Sequence, residues 1–228
     1  MNRCRKTPVR QRSYGYRFFH SAATGQLLCA VSIVCMVQAN IGTSPWNVLK
    51  QGLTRCMPLS LGTADILVSL AVIGAALLLG ERIGFGSLFC VFFPGPVIDL
   101  LLMRNWIPCQ HTLPGGILLM LAGICLMALS TFAYMVQGLG AGPRDALMVA
   151  LSKKSGQSIA RCRIALDGAA TLIGWRLGGQ VGLGTILSVL LLGPCIGLVF
   201  HAAAIAPGTL EQETLAQTCR NLRRSRSL

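Results

Sequence analysis

The sequence contains few charged residues. Only 12% of its 228 residues are charged, and 53% are apolar. Ordinary soluble domains carry about 25% charged residues, so a soluble globular fold and a disordered chain both fit poorly. Residues 21–49, 105–143 and 177–210 contain no charge at all. Each segment is longer than the roughly 20 residues with which a helix crosses a membrane. The composition therefore predicts an integral membrane protein.

Motifs for metal binding and catalysis are also absent. The ten cysteines contain no CxxC pair, and most fall in apolar segments, where free cysteine behaves as a small apolar residue. The three histidines (His20, His111 and His201) are far apart in the sequence. No nucleophile elbow and no pair of carboxylates stands out. We therefore expect neither an enzyme nor a bound metal or cofactor.

Acidic residues are few, seven against 20 basic residues, which gives a net charge of +13. Such a charge could indicate nucleic-acid binding, but the basic residues are not spread over a fold. Most of them lie in three segments, residues 3–17, 144–163 and 220–226. Cytoplasmic segments of membrane proteins carry this excess of Lys and Arg. We therefore expect no nucleic-acid partner, and we predict that both termini are cytoplasmic.

The chain repeats itself with an offset of 98 residues. Residues 84–87 (GFGS) and 95–96 (GP) align with residues 182–185 (GLGT) and 193–194 (GP), and six of the 17 aligned pairs from position 83 to position 99 are identical. A small apolar chain with two such halves is most simply a duplicated membrane protein.

The apolar segments predict an all-α membrane protein with six transmembrane helices. They are residues 22–42, 60–80, 85–103, 113–138, 160–177 and 185–206. A single transmembrane domain, residues 22–205, would lie between two basic cytoplasmic tails, residues 1–21 and 206–228. Repeat 1 (about 22–104) and repeat 2 (about 113–205) hold three spans each, so the second repeat would enter the membrane from the opposite side. Inverted repeats of this kind recur in secondary transporters, with the substrate site at the repeat interface.

Each repeat also contains a short helix that begins at a proline. The helix-start motifs are Ser44-Pro45-Trp46-Asn47 and Gly142-Pro143-Arg144-Asp145. Proline is favoured at the first helical position, and serine or glycine at the cap. The helices, residues 45–55 and 143–153, are too short to span and lie either at the interface or within the protein as half-helices. A half-helix would direct free N–H groups at the repeat interface, which suits an anion or carboxylate. The alternative is that Asp145 only caps its own helix.

Five charged residues are candidates for contact with a solute or ion: Asp99, Arg144, Asp145, Arg163 and Asp167. A carboxylate inside a span, such as Asp99, is rare unless it is paired or faces a wet cavity. An ion pair with Arg104 is its alternative role. Arg163 and Asp167 are spaced i, i+4 and could neutralise each other on one helix face. Asp65, the one charge in the second span, has no evident partner.

Two dipeptides, Gly95-Pro96 and Gly193-Pro194, are predicted to interrupt helices at corresponding positions of the two halves. Paired interruptions point to a transporter site. Kinks that allow close helix packing are the alternative.

These motifs together resemble the bacterial YczE-type membrane proteins of the YczE/YyaS/YitT group. The resemblance covers roughly residues 22–205 and implies a six-span protein of the bacterial inner membrane, without naming a substrate. Asn47 stands where this family often has an acidic residue, and Asp167 stands where an acidic residue is usual.

From this evidence we expect a permease-like protein that binds or moves a small solute at the repeat interface. The alternative is a non-transporting accessory protein that supports a membrane enzyme or assembly. The expected partners are the lipid bilayer and the solute, while a homo-oligomer or a membrane partner protein stays open.

Overall fold

A computed structural model describes residues 16–81, 85–136 and 142–203, and within these ranges all regular structure is helical. The helices are α1 (Tyr16–Gln38), α2 (Pro45–Cys56), α3 (Leu61–Leu78), α4 (Phe85–Phe92), α5 (Pro94–Met103), α6 (Leu113–Met135), α7 (Pro143–Ser155), α8 (Ile159–Arg176) and α9 (Leu183–Ala202). The all-α prediction is confirmed for these residues. Most of both basic tails, and Gly84 of the repeat, lie outside them.

Among the described residues, three helices are long and apolar enough to cross a membrane: α3, α6 and α9. Two further apolar segments, residues 23–38 and 87–103, are shorter. Helix α8 contains three arginines and Asp167, which reduce its apolar character. The structure therefore supports a helical membrane protein, and it reproduces the predicted six spans only in part.

Helices α1 and α6 pack against each other in antiparallel orientation. The Ser32 hydroxyl donates to the Gly123 carbonyl at 2.7 Å, and the Ser130 hydroxyl donates to the Gly25 carbonyl at 2.9 Å. Hydroxyl groups can bond backbone carbonyls across helices where no water competes. Helix α9 packs on α6, and α5 packs on α1. Since α1 belongs to the first half of the chain and α6 to the second, the antiparallel pair joins the two halves.

The short helices α2 and α7 each pack along one helix of the opposite half. Helix α2 packs along α8, and α7 packs along α3. A Cβ atom at Gly52 would lie 2.6 Å from the Gly174 carbonyl oxygen, so these two backbones approach closely because neither residue has a side chain. The loop before α2 turns at Gly42, whose φ of 98° favours glycine.

The two predicted helix interruptions differ. In the first half, α4 ends at Phe92 and α5 begins at Pro94, where two closely spaced prolines remove backbone donors. In the second half, α9 continues through Gly193 and Pro194, so the predicted interruption there is wrong. A single proline inside an apolar helix is tolerated when the neighbouring groups adjust.

Close helix packing distinguishes the two Gly-Pro sites. A Cβ atom at Gly95 would lie 2.8 Å from the Gly62 carbonyl oxygen, whereas a Cβ atom at Gly193 would meet nothing within 4 Å. Close packing of α5 on α3 therefore needs Gly95, and α9 has no equivalent contact among the described residues.

Candidate functional site

The first turns of α2 and α7 meet at a cavity of about 130 Å³. Residues of α1, α3 and α6 form much of the remaining wall, and Cys90 of α4 and Pro94 of α5 also line it. Its charged residues are Lys50, Asp65, Arg144 and Asp145. Its apolar wall includes Ile33, Trp46, Val68, Val72 and Met127. The cavity thus combines charged groups with apolar surface, as small-molecule sites commonly do.

Lys50 and Asp65 form a buried ion pair in this cavity. The Lys50 ammonium contacts the Asp65 carboxylate, and only 7% and 4% of the two residues are exposed. The same ammonium donates to the Asn47 side-chain oxygen at 3.2 Å. Charges this deeply buried are tolerated when they are paired and hydrogen-bonded. The pair therefore links α2 to α3 and leaves little net charge.

This pair was not predicted from the sequence. No partner for Asp65 is evident in the sequence, and an interfacial α2 would have placed Lys50 among the outer loop residues. The available signal was the cost of an unpaired carboxylate in a span, which requires a cation close by; Lys50 and Arg55 are the two basic residues that precede Asp65 most closely.

Asp145 is held by α6 as well as by its own helix. The Tyr134 hydroxyl donates to Asp145 Oδ2 at 2.7 Å. Asp145 also lies in the first turn of α7, where a carboxylate interacts favourably with the helix dipole. Asp145 therefore offsets the positive end of the α7 helix dipole, in agreement with the capping alternative. It lines the cavity as well.

Arg144 also lines the cavity, and its guanidinium makes no hydrogen bond or ion pair within the described part of the chain. Its Cζ atom lies 6.0 Å from the centroid of the Trp46 ring, within the range of a cation–π interaction. Arginine carries five N–H donors. Within the described residues, Arg144 therefore has N–H donors without an acceptor beside the first turn of α2.

Trp46 is buried between the cavity and α8. Its indole N–H donates to Asp167 Oδ1 at 2.7 Å, while Arg163 Nε lies 3.7 Å from Asp167 Oδ2. The predicted i, i+4 pair is therefore present. Asp167 and Arg163 do not line the cavity themselves, but they fix the ring that does.

Asp99 lies outside the cavity and caps α3. Its carboxylate accepts a hydrogen bond from the Ser60 hydroxyl at 2.6 Å and one from the Gly62 N–H at 2.8 Å. Arg104 is exposed and forms no ion pair with Asp99. The sequence analysis did not consider this capping role, because it depends on α5 packing across the start of α3.

The five candidate residues thus divide into three groups. Arg144 and Asp145 line the cavity, Arg163 and Asp167 support one wall, and Asp99 stabilises a helix end elsewhere. Lys50, Asp65 and Ser44 are cavity residues that the sequence analysis did not propose as contacts. Within the described ranges, no three His, Cys, Asp or Glu side chains cluster so as to hold a metal ion.

Comparison with known proteins identifies related sequences. A family described as "Family of unknown function (DUF6198)" matches residues 17–201. An "Uncharacterized protein" of Haemophilus influenzae is 33% identical over 188 residues, which cover 79% of this chain and 84% of that protein. The "Uncharacterized membrane protein YczE" of Bacillus subtilis is 29% identical over 179 residues, or 74% and 79% of the two chains.

A third relative, the "Uncharacterized protein YyaS" of Bacillus subtilis, is 27% identical over 172 residues, or 74% of this chain and 85% of that protein. No solved structure matches this chain. The resemblance to YczE-type proteins is confirmed.

Proposed function

This chain belongs to the DUF6198 family of unknown function, and we propose that it binds a small solute between two inverted repeats, as a permease does. In this proposal it is an integral protein of the bacterial inner membrane with both termini in the cytoplasm. The chemistry assigned to the cavity is binding and movement of the solute, with no covalent step.

One observation carries the proposal, namely that the first turns of α2 and α7 meet. Arg144 of α7 lies 6.0 Å from the Trp46 ring of α2, and both residues line the cavity. The charge pattern of the sequence assigns the loop before α2 to the outer side and the loop before α7 to the inner side. Helices that enter from opposite faces can meet only if both reach the interior of the protein.

The packing of the short helices also supports first turns that lie inside the protein. Trp46 contacts Asp167, nine residues before α8 ends at Arg176, which corresponds to about 14 Å along a helix. Helix α2 then runs beside α8 towards that end, where Cys56 Sγ donates to the Leu177 carbonyl oxygen at 3.5 Å. This packing supports a deep start and a shallow end for α2.

Helix α7 repeats this arrangement on α3. Ala146 and Leu147 pack with Val68 and Val72. Val72 lies six residues before α3 ends at Leu78. At the other end of α7, Lys153 forms an ion pair with Glu81 at 2.9 Å. Exchanging the two halves converts the α2–α8 contact into the α7–α3 contact, which is the relation that an inverted repeat requires. Paired half-helices whose N-termini face a shared site are a recurring feature of secondary transporters.

A ligand-binding screen tests this proposal. The purified protein in detergent is heated with a panel of metabolites, drugs and sodium, because a ligand that binds only the folded state must raise its stability. We expect at least one compound to raise the unfolding temperature of the wild type. Asp145→Asn should change that shift, because it alters the charge of the cavity, whereas Asp99→Asn should retain it from a lower starting temperature.

The two aspartate variants form a matched pair, because they make the same chemical change inside and outside the cavity. A compound identified in this way is then tested for flux into liposomes that contain the protein. If no compound in a broad panel raises the stability, the solute proposal is refuted and an accessory role with a protein partner becomes the better account.

A further inference from the structure

We propose that the solute is a small monocarboxylate with a short apolar body, whose carboxylate lies between Arg144 and the N-terminus of α2. This inference rests on the proposed function, because it names the ligand class of the same cavity.

The N-terminus of α2 lacks the side-chain cap that α3 and α8 have. Ser60 and Ser158 cap α3 and α8 with their side chains. Ser44, at the cap of α2, makes no side-chain hydrogen bond within the described residues, and α2 has no acidic residue in its first turn. The first N–H groups of any helix also lack carbonyl partners within the helix.

The Ser44 side chain faces the cavity while it is buried. The residue is 7% exposed and lines the cavity. A buried hydroxyl without a partner is unfavourable, since it loses its hydrogen bonds to water. A ligand acceptor atom in the cavity would satisfy it. Ser44 therefore provides evidence for a ligand that is independent of the helix N-terminus.

Arg144 provides the charge that selects an anion. Its guanidinium has no hydrogen-bond acceptor within the described part of the chain, and it lies beside Trp46, the second residue of α2. Arginine binds carboxylates through two parallel hydrogen bonds, which makes it well suited to planar anions. The guanidinium and the first turn of α2 thus border the same part of the cavity.

The charge balance favours a single negative charge. Lys50 and Asp65 neutralise each other, and the Asp145 carboxylate outweighs the positive end of α7, because a helix N-terminus is equivalent to about +0.5 charge. Arg144 and the N-terminus of α2 then leave a total of about +1 in the cavity. A monoanion matches this charge, whereas a phosphate dianion would exceed it.

The rest of the cavity wall is mixed, with polar residues such as Ser130 and Thr131, and its apolar part favours an apolar body. Val68, Val72 and Met127 line it, and their side chains offer no hydrogen bonds to a polar group. A ligand with a carboxylate at one end and a short hydrocarbon or aromatic portion at the other would satisfy both parts of the wall. The apolar portion gains stability by leaving water.

The test compares three probes of nearly equal shape, namely benzoate, benzamide and benzylamine. Binding to the purified full-length protein in detergent is measured by thermal stability and by calorimetric titration. We expect benzoate to bind and to raise the unfolding temperature, and the neutral and cationic probes to bind at least tenfold more weakly. Butyrate and laurate, tested in parallel, show whether a water-soluble or a membrane-dissolved carboxylate fits better.

Variants assign the binding to the site. Arg144→Gln should weaken benzoate binding at least tenfold, and Arg144→Lys should weaken it less because the charge is kept. Ser44→Ala should weaken it severalfold, and it introduces so small a change that folding should be preserved. Arg104→Gln is the matched control, since Arg104 is exposed and lies outside the cavity, and it should bind benzoate as the wild type does.

The outcomes separate this inference from the proposed function. If benzylamine or benzamide binds best and Asp145→Asn abolishes that binding, the carboxylate assignment is overturned while the solute cavity stands. Carboxylate binding that is unchanged in Arg144→Gln and Ser44→Ala also overturns the assignment. If neither these probes nor the broad panel binds, both proposals are overturned.

Discussion

Removing one partner of the Lys50–Asp65 ion pair should destabilise the protein strongly. The two side chains are only 9% and 6% exposed, so neither charge can regain its water in the folded state. Lys50→Met leaves Asp65 buried without its cation, and Asp65→Asn leaves Lys50 with only the Asn47 oxygen as an established acceptor. Each variant thus exchanges a neutral pair for a single buried charge.

The expected magnitude follows from the burial of the pair. Two unit charges about 3 Å apart attract each other by about 5 kcal/mol at an effective dielectric constant of about 20. Removing one partner of a buried pair typically costs about 3–5 kcal/mol, because the remaining charge is left unpaired. The double variant Lys50→Met/Asp65→Asn removes both charges and should lose much less than the sum of the two single losses.

The assay is a double-mutant cycle on the free energy of unfolding in mixed micelles. Lys154→Met, at an exposed lysine in the last turn of α7, is the control and should change stability by less than about 0.5 kcal/mol. Independent sites add to within about 0.3–0.5 kcal/mol. Additivity within that limit would show that the two charges do not interact, and the account of the cavity would fail at this point.

Three further predictions concern neighbouring contacts. Gly174→Val should lower the unfolding temperature, since a Cβ atom there would lie 2.5 Å from a backbone nitrogen of α2, whereas Gly193→Val, in open space, should not; thermal unfolding of both variants compares them. Asp99→Asn should cost about 1 kcal/mol through the weakened α3 cap, measured by chemical unfolding, and a fully retained stability would contradict the capping role. Trp46→Phe should cost about 1.5–3 kcal/mol in chemical unfolding, because the hydrogen bond to the charged Asp167 is lost. If Asp167→Asn has the same effect in the Trp46→Phe variant as in the wild type, that bond contributes nothing to stability.

Local signals in the sequence predicted the helices well. The starts of α2 and α7 follow from Pro45 and Pro143, because proline at the first helical position needs no partner for a donor. The helix bounds agree with the predictions to within about four residues, apart from the start of α1, which is predicted at residue 22 and observed at Tyr16. The exception is α9, where Gly193-Pro194 was predicted to interrupt the helix and does not. Whether a proline interrupts a helix depends on its neighbours in space, which the sequence does not give.

The candidate site was only partly predictable. Arg144 and Asp145 were found because they follow a helix-start motif that is repeated in the chain. The Lys50–Asp65 pair was missed because its recognition requires the depth of α2, and a 12-residue helix fits equally well at the interface or inside the protein. Asp99 was assigned to the site because an intramembrane carboxylate usually has a function, and its actual partner is the start of another helix.

The most direct test of the central claim is the sidedness of the two short helices. Single cysteines at Arg55 and Lys154, in a background without the ten native cysteines, are treated in intact cells with a membrane-impermeant maleimide. Cysteines at Asn47 and Ala146 report on the buried first turns.

The account predicts that the cysteine at position 55 reacts from outside and the cysteine at position 154 only after permeabilisation. The cysteines at positions 47 and 146 should react poorly from either side. Labelling of positions 55 and 154 from the same face would contradict the inverted arrangement. So would full reactivity of positions 47 and 146 at the membrane surface, because the cavity requires both first turns to lie inside the protein.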